Sequence, residues 1–169
     1  LKARIDSMIN FNSVDPDMEY EYFDATDDGV VYSDEGTNKK KCLKITPTGG
    51  TTIAEYKVNG KETFIKSSAQ LSMNLLMKFK QDGNLNEFIY FDVKCFDKDF
   101  GFLGTVSVDE YPETMIPTSY GWRMIGLPTT ISKTAYIKFY IRFEAAGGIF
   151  YLDYLYGGDI SCPAKIAEM

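Results

Sequence analysis

The stretch that decides the fold is a pair of runs near the C-terminus, Ala135-Tyr-Ile-Lys-Phe-Tyr-Ile-Arg-Phe143 and Gly148-Ile-Phe-Tyr-Leu-Asp-Tyr-Leu-Tyr156. In the first run every second residue is apolar, and the residues between them are tyrosines and cations. Successive side chains of a β-strand point to opposite faces of a sheet. The alternation therefore predicts a strand with one buried face and one face of tyrosine and charge.

The same period-two pattern recurs from Asn10 onward, in short segments separated by glycine, proline, asparagine and aspartate. Ten strands are predicted, at 19–23, 29–33, 41–46, 52–58, 70–79, 88–96, 105–109, 121–127, 135–144 and 149–156. The strongest turn signals are Gly49-Gly50, Asn59-Gly60, Asp82-Gly83 and Gly147-Gly148. Short strands with turns between them predict an all-β, antiparallel β-sandwich without internal repeats.

The first nine residues have a different pattern. Leu1, Ile5 and Met8 are spaced four and three apart, which predicts a short N-terminal helix, the end of a coiled-coil stalk or a plain capping helix. The predicted organisation is a helical linker over 1–9, a sandwich domain over 10–160 and a tail over 161–169. Because the chain begins with Leu1, we expect it to be a piece of a longer protein.

Composition excludes several functional classes. The 169 residues are 44% hydrophobic, enough for one domain with a real core. The net charge of -6 argues against nucleic acid and anionic membranes as partners, and no apolar run reaches the ~20 residues of a membrane-spanning helix. The chain has no histidine, so the common triads and zinc sites are absent. We expect no enzyme activity, with carboxylate-only chemistry as the remaining catalytic alternative.

The three cysteines indicate neither a zinc site nor a dense disulfide framework, because they are odd in number and widely spaced. Cys42 and Cys95 lie inside apolar strand patterns, which predicts small core residues. Cys162 precedes a proline and is expected to be the exposed one.

Four motifs together resemble a known family. They are Asn12-Ser-Val-Asp-Pro-Asp-Met-Glu19, Asn38-Lys-Lys-Lys-Cys-Leu-Lys-Ile-Thr46, Gly121-Trp-Arg-Met-Ile-Gly-Leu127 and Ile149-Phe-Tyr-Leu-Asp-Tyr-Leu155. In this order they resemble the jelly-roll carbohydrate-binding modules of the galactose-binding-domain-like superfamily. The resemblance implies a jelly-roll sandwich and a non-catalytic module that binds cell-surface or wall polysaccharide. The competing interpretation is a structural or oligomerisation domain of the same fold that has no ligand.

A second resemblance concerns Leu-Lys-Ala-Arg-Ile-Asp-Ser-Met-Ile at 1–9, which is similar to helical linkers in bacteriophage tail and baseplate proteins. It implies that the partners include other subunits of a larger assembly, as in a homotrimer. The expected location is then a virion tail or baseplate, or the cell surface.

The carbohydrate-binding resemblance also implies a structural calcium, held by Glu19, by carbonyls of the loop at 37–41 and by Asp153. Calcium takes six to eight oxygen ligands, which strands from both ends of the chain could supply in part. Asp153 stands inside an apolar run, where a carboxylate is costly to bury without a partner. The alternative is an Asp153 that is hydrogen-bonded to the backbone or faces solvent.

Candidate carbohydrate-binding residues lie on the polar faces of the predicted strands. A sugar ring has an apolar C–H face and a rim of hydroxyls, so its site needs flat aromatic rings beside paired polar groups. The residues that fit are Asn74, Tyr90, Asp92, Trp122, Tyr136, Tyr140 and Arg142, with Lys78 and Lys94 near them. The alternatives are cross-strand pairing on a solvated face for the tyrosines and core packing for Trp122.

Overall fold

The computed structural model describes residues 4–6, 18, 21–25, 27–57, 60–67 and 74–158, and these form a two-layer β-sandwich. The strands in chain order are β1 (Arg4–Asp6), β2 (Phe23–Asp24), β3 (Val30–Ser33), β4 (Cys42–Ile45), β5 (Thr52–Tyr56), β6 (Thr63–Lys66), β7 (Asn74–Gln81), β8 (Ile89–Phe96), β9 (Phe102–Tyr111), β10 (Gly121–Gly126), β11 (Tyr136–Phe143) and β12 (Phe150–Gly158). The predicted all-β, antiparallel sandwich is confirmed.

Strand β11 is the centre of the larger sheet, here called sheet A. It pairs with β8 along one edge and with β5 and β6 along the other. Outside these lie β9 next to β8, β2 next to β5 and β1 next to β6. The second sheet, sheet B, has the order β10-β7-β12-β4-β3. Strands β11 and β12, which follow one another in the chain, thus belong to opposite sheets, and the link between them crosses the sandwich.

The core fills the space between the two sheets. On β11 the predicted inward residues Ile137, Phe139, Ile141 and Phe143 are all buried. Phe143 packs against Phe150 of sheet B with 5.8 Å between ring centroids, a contact across the two layers. Tyr140 and the other outward residues of β11 are not part of this hydrophobic core. The alternation therefore assigned the two faces of β11 correctly.

The turn at Gly147-Gly148 has the conformation that its sequence predicts. Both residues have positive φ, +125° and +77°, which residues with a side chain rarely adopt. The backbone of the 84–85 segment also passes directly over Gly148. A Cβ there would overlap the backbone nitrogen of Leu85 and lie 2.6 Å from the carbonyl carbon of Asn84. Only glycine fits this position.

The predicted N-terminal helix is wrong at Arg4–Asp6, which form strand β1 in parallel pairing with β6. Two helical turns are too short to be stable alone. The outer edge of β6 offers unpaired backbone groups, which a third strand satisfies. The rest of the stretch at 1–9 lies outside the described residues.

Strand β6 is absent from the predicted set because its sequence does not alternate. Thr63, Phe64 and Ile65 are all buried, Phe64 beneath the outer-face aromatics and Ile65 in the core. Strand β9 is also longer than predicted, and β2 begins at Phe23, at the end of the predicted segment. Neither difference moves a strand to the other sheet face.

Cys42 and Cys95 are buried and free, as predicted, whereas Cys162 lies outside the described residues. The described residues contain no α-helix, and their short 3-10 turns include Thr37–Lys39 and Glu113–Met115. Across those same parts of the chain, no helix is long and apolar enough to span a bilayer.

Candidate functional site

The outer face of sheet A is polar, and strand pairing orders it in rows. Tyr140 occupies the middle of one row, with Asp92 of β8 opposite it on one side and Glu55 of β5 on the other. Ser107 of β9 and Asp24 of β2 extend the row at its ends. Directly opposed residues have Cβ atoms about 5 Å apart. The row therefore sets two carboxylates beside Tyr140 and a third, Asp24, beyond Glu55.

Arg142 links this row to the next one. Its Nε donates to Oδ2 of Asp92 at 2.5 Å and its Nη2 donates to Oδ1 at 3.3 Å, so the guanidinium engages both oxygens. The Ser107 hydroxyl donates to the same Oδ1 at 2.6 Å. The guanidinium carbon lies 4.3 Å from the ring centroid of Tyr90, and Nη1 donates to Glu144. Asp92 is buried, and these contacts supply the hydrogen bonds and the positive charge that its carboxylate needs there.

A groove of about 240 Å³ runs beside Tyr140 on this face. Its lining residues are Asp24, Asp27, Ile53, Glu55 and Tyr140. The Ile53 amide donates to Oδ2 of Asp27 at 2.7 Å, which fixes that carboxylate at the edge of the groove. Glu55 has no ion pair among the described residues. The Glu55 carboxylate is therefore available to a ligand.

Tyr140 forms the base of the groove. It is only 9% exposed, and Nζ of Lys94 lies 4.9 Å from its ring centroid. Burial, followed by carboxylates that include Glu55, raises the pKa of Tyr140 well above its usual value. The phenol therefore stays protonated and can donate a hydrogen bond to a ligand.

Tyr136 lies at the opposite end of β11, within an aromatic cluster. Phe100 stacks on its ring with 4.5 Å between centroids and 16° between planes, and Phe64 packs against it at 6.1 Å. Phe100 and Phe102 are 43% and 59% exposed. The open aromatic surface at this end therefore belongs to these two phenylalanines and not to the predicted tyrosine.

The structure divides the predicted carbohydrate residues between the two sheets. Five of them lie on the outer face of sheet A, namely Tyr90, Asp92, Tyr136, Tyr140 and Arg142. Asn74 and Trp122 lie on the outer face of sheet B, on β7 and β10. The two groups are on opposite sides of the sandwich, so one ligand cannot contact both.

Trp122 is half-buried and is not part of the core. Its ring centroid lies 4.9 Å from that of Tyr154, with 71° between the planes. Lys78 stands between them in the pairing, opposite Trp122 on one side and Tyr154 on the other. Core packing, the alternative for Trp122, is therefore not what the structure shows.

Sequence reasoning missed Asp24, Asp27 and Glu55, which line the groove. The alternation within β5 does place Glu55 on the outward face, between the buried Ala54 and Tyr56. Its position opposite Tyr140 depends on the pairing of β5 with β11. That pairing joins strands distant in sequence, so the local pattern carries no signal for it.

Asp153 lies at a β-bulge, where the register of β12 against β7 shifts between Leu152 and Tyr154. The Thr37 hydroxyl donates to Oδ2 of Asp153 at 2.6 Å, and the Thr37 amide donates to Oδ1 at 3.3 Å. Nζ of Lys78 lies 3.7 Å from Oδ2. The structure thus brings Asp153 to the loop that begins at Thr37, with a cation beside it.

The described residues alone do not complete a calcium site. They contain no group of three or more acidic, cysteine or histidine side chains that could hold a metal ion. Asp153 supplies one carboxylate, which Lys78 already neutralises in part, whereas calcium takes six to eight oxygens. Glu19, the second predicted ligand, lies outside the described residues.

Glu144 predicts a pH dependence of stability. Hydrogen bonds from Arg142, and then from Thr51, lower its pKa below the ordinary 4.5. A folded-state pKa that is depressed contributes stability above the unfolded value, and this contribution is lost as the pH falls through the folded value. We expect Glu144→Gln to lower the free energy of unfolding by at most about 1 kcal/mol at neutral pH, because the pair is partly solvated. Urea unfolding of both proteins at several pH values should show the difference shrink as the pH falls below 4.5 and vanish once the pH lies below the folded-state pKa.

Comparison with known proteins gives structural matches only. No family model and no curated protein matches the chain. The second family 16 carbohydrate-binding module superposes with a TM-score of 0.55 and 14% identity, over 86% of this chain and 98% of that one. A family 30 carbohydrate-binding module of a Clostridium thermocellum cellulosomal cellulase gives a TM-score of 0.53 and 10% identity, over 83% and 88% of the two chains.

A third match is the enzymatically active domain of bacteriophage CBA120 tailspike protein 4. Its TM-score is 0.55 at 9% identity, over 83% of this chain and 20% of that one. At such identities the likeness concerns the fold alone. The chain therefore has the β-sandwich fold that carbohydrate-binding modules share.

Proposed function

We propose that this protein is a non-catalytic carbohydrate-binding module whose ligand lies in the groove beside Tyr140. The observation that carries the proposal is the groove on the polar face of sheet A in which Tyr140 lies opposite Glu55, with Asp24 and Asp27 in the same lining. Carboxylates accept hydrogen bonds from the paired hydroxyls of a sugar, and Ile53 offers apolar contact to a ring face. The fold shared with carbohydrate-binding modules supports the same function.

The groove favours a neutral or amino sugar, because Asp27 and Glu55 would repel a uronic acid, whereas Asp24 is partly neutralised by Lys57 at 3.5 Å. Covering ~50 Å² of apolar ring surface at ~25 cal/mol/Å² contributes about 1 kcal/mol. A few such contacts with hydrogen bonds give binding in the millimolar to micromolar range. A multivalent assembly would strengthen this binding through avidity.

The test is a glycan array followed by calorimetric titration of the best neutral oligosaccharide. Glu55→Ala should weaken binding about tenfold, because it removes a charged acceptor from the groove that has no ion pair within the described part of the chain. Glu35→Ala is the matched control, since it removes a carboxylate from the other sheet face, where Glu35 pairs with Lys44. It should leave the affinity unchanged.

Two results would contradict this function. Binding to none of a broad set of polysaccharides would favour the structural alternative, a sandwich domain without a ligand. New reducing ends after incubation with polysaccharide would show catalysis instead of simple binding.

A structural calcium at Glu19 and Asp153 remains part of the proposal. We expect added calcium to raise the melting temperature and EDTA to lower it, with Asp153→Asn abolishing both shifts. An unchanged melting temperature under calcium and EDTA would mean that Thr37 and Lys78 alone satisfy Asp153.

The finer setting that we propose is a phage tail or cell-surface assembly in which the module works as a homotrimer. The likeness to part of a tailspike protein supports this setting. Sedimentation equilibrium of the 169-residue protein should give the mass of a trimer. A monomer at all concentrations would contradict it.

A further inference from the structure

Lysines and aromatic rings alternate across the outer face of sheet B. In one row Lys78 stands between Trp122 and Tyr154. In the next row Lys80 lies opposite Tyr151 of β12. Pairing with antiparallel strands places these side chains next to one another on a single face. The result is a surface of cations and rings, in contrast to the carboxylates of sheet A.

The lysine ammonium groups lie close to the rings. Nζ of Lys78 is 5.4 Å from the ring centroid of Trp122. Nζ of Lys80 lies between two tyrosines, 4.8 Å from the centroid of Tyr120 and 4.9 Å from that of Tyr151. These distances fall within the range of cation–π contacts. The rings therefore hold the cations at the surface in fixed positions.

A cleft of about 180 Å³ opens where this face meets the loop at 37–41. Lys78, Trp122 and Tyr154 form its sheet side, and Lys40 and Lys41 come from the loop. Its walls thus combine aromatic surface with three cations. The one acidic side chain in the lining is Asp153, already engaged by Thr37 and Lys78.

Part of the positive charge in and beside the cleft is not neutralised. Lys41 pairs with Glu21 at 3.1 Å and Lys78 with Asp153. Neither Lys40 nor Lys80 forms an ion pair with any residue in the described parts of the chain. The whole chain has a net charge of -6, so this face opposes the overall charge of the molecule.

We propose that this cleft is a second binding site, specific for a sugar unit that carries an anionic group such as a carboxylate, sulfate or phosphate. Lys40 and Lys78 pair with the anion, while Trp122 and Tyr154 contact the apolar face of the ring. The site lies on the opposite sheet from the groove of Tyr140, so the two proposals succeed or fail independently.

Single-stranded nucleic acid also binds to surfaces of rings and cations. Such binding needs a continuous basic track several nucleotides long, whereas the cleft has room for about one or two sugar rings and belongs to an acidic chain. These observations favour a short anionic saccharide, and an oligonucleotide is included as a competitor in the test.

The protein provides its own probe, because Trp122 is the only tryptophan in the chain and lines the cleft. Titration of the 169-residue protein with trigalacturonic acid should change tryptophan emission, whereas galactotriose, its neutral counterpart, should not. A ligand in the groove of sheet A should leave the emission unchanged. Rising salt should weaken the response, since exposed lysine–anion contacts are screened.

The variant that tests the lysines is Lys40→Gln with Lys78→Gln. It should weaken binding of trigalacturonic acid about tenfold or more, measured by calorimetry as well as fluorescence. Lys66→Gln is the matched control, because it removes an exposed lysine from sheet A and should leave the affinity unchanged.

Three results would overturn the proposal. One is the absence of both binding heat and an emission change with trigalacturonic acid. Another is equal affinity for galactotriose, since the lysines would then not recognise the anionic group. The third is tighter binding of oligothymidylate, which would identify a nucleic-acid surface instead.

Discussion

Replacing Arg142 by methionine should lower the free energy of unfolding by about 3 kcal/mol, measured by urea denaturation, because the change leaves a buried carboxylate without its cation. Asp92 is 7% exposed and accepts two hydrogen bonds from this guanidinium. Of the described residues that donate to Asp92, only Ser107 would then remain. Methionine keeps much of the aliphatic volume of the Arg142 side chain next to Tyr90. The lower free energy of unfolding would therefore come mainly from the loss of the positive charge.

Replacing the other member of the pair, Asp92, should lower the free energy of unfolding by less. Asp92→Asn keeps an acceptor for Ser107, and Arg142 is partly exposed and retains Glu144, so we expect a loss of about 1 kcal/mol. The double variant should recover at least half of the loss caused by Arg142→Met. Equal losses for the two single variants, or no recovery in the double variant, would show that the loss in Arg142→Met does not come from an unpaired Asp92 carboxylate.

Gly148→Ala should destabilise the protein by about 3 kcal/mol or more, with a lower melting temperature and reduced soluble yield. An alanine at φ +77° is strained, and its Cβ would overlap the backbone of Leu85. A backbone cannot rotate aside as a flexible side chain can. The segment at 84–85 and the turn that leads into β12 would therefore both shift.

Gly50→Ala is the matched control for this turn. Gly50 also lies in a double-glycine turn, but a Cβ there meets nothing within 4 Å and its φ is not in the left-handed region. We expect a change within about 0.5 kcal/mol. If both substitutions had the same small effect, the close approach of Leu85 to Gly148 would not exist in solution.

The alternating strands show how far local pattern predicts this fold. The period-two pattern of β11 assigns its buried and polar faces because each residue type agrees with its face. The same rule misses β6, where Phe64 is covered on the outer face by Phe96 of β8 and by Phe100 of the turn that follows it. A different pattern, the four-three spacing of Leu1, Ile5 and Met8, predicts a helix at 1–9, whereas Arg4–Asp6 form a strand that pairs with the edge of β6.

The candidate site could be predicted only in part, for a related reason. Tyr140, Asp92 and Arg142 are outward residues of long, regular strands, and the alternation places them on a polar face. Which sheet each strand joins depends on non-local pairing. That pairing places Trp122 and Tyr140 on different sheets and sets Glu55 opposite Tyr140. The local sequence pattern predicts neither arrangement.

The most direct test of the central claim is a nuclear magnetic resonance titration with the neutral oligosaccharide that binds best on the array. We expect the largest amide shift changes on β5, β8 and β11, around Glu55, Asp92 and Tyr140, with little change on β7, β10 and β12. Shift changes concentrated on sheet B, or none at saturating ligand, would contradict a carbohydrate site in the groove beside Tyr140.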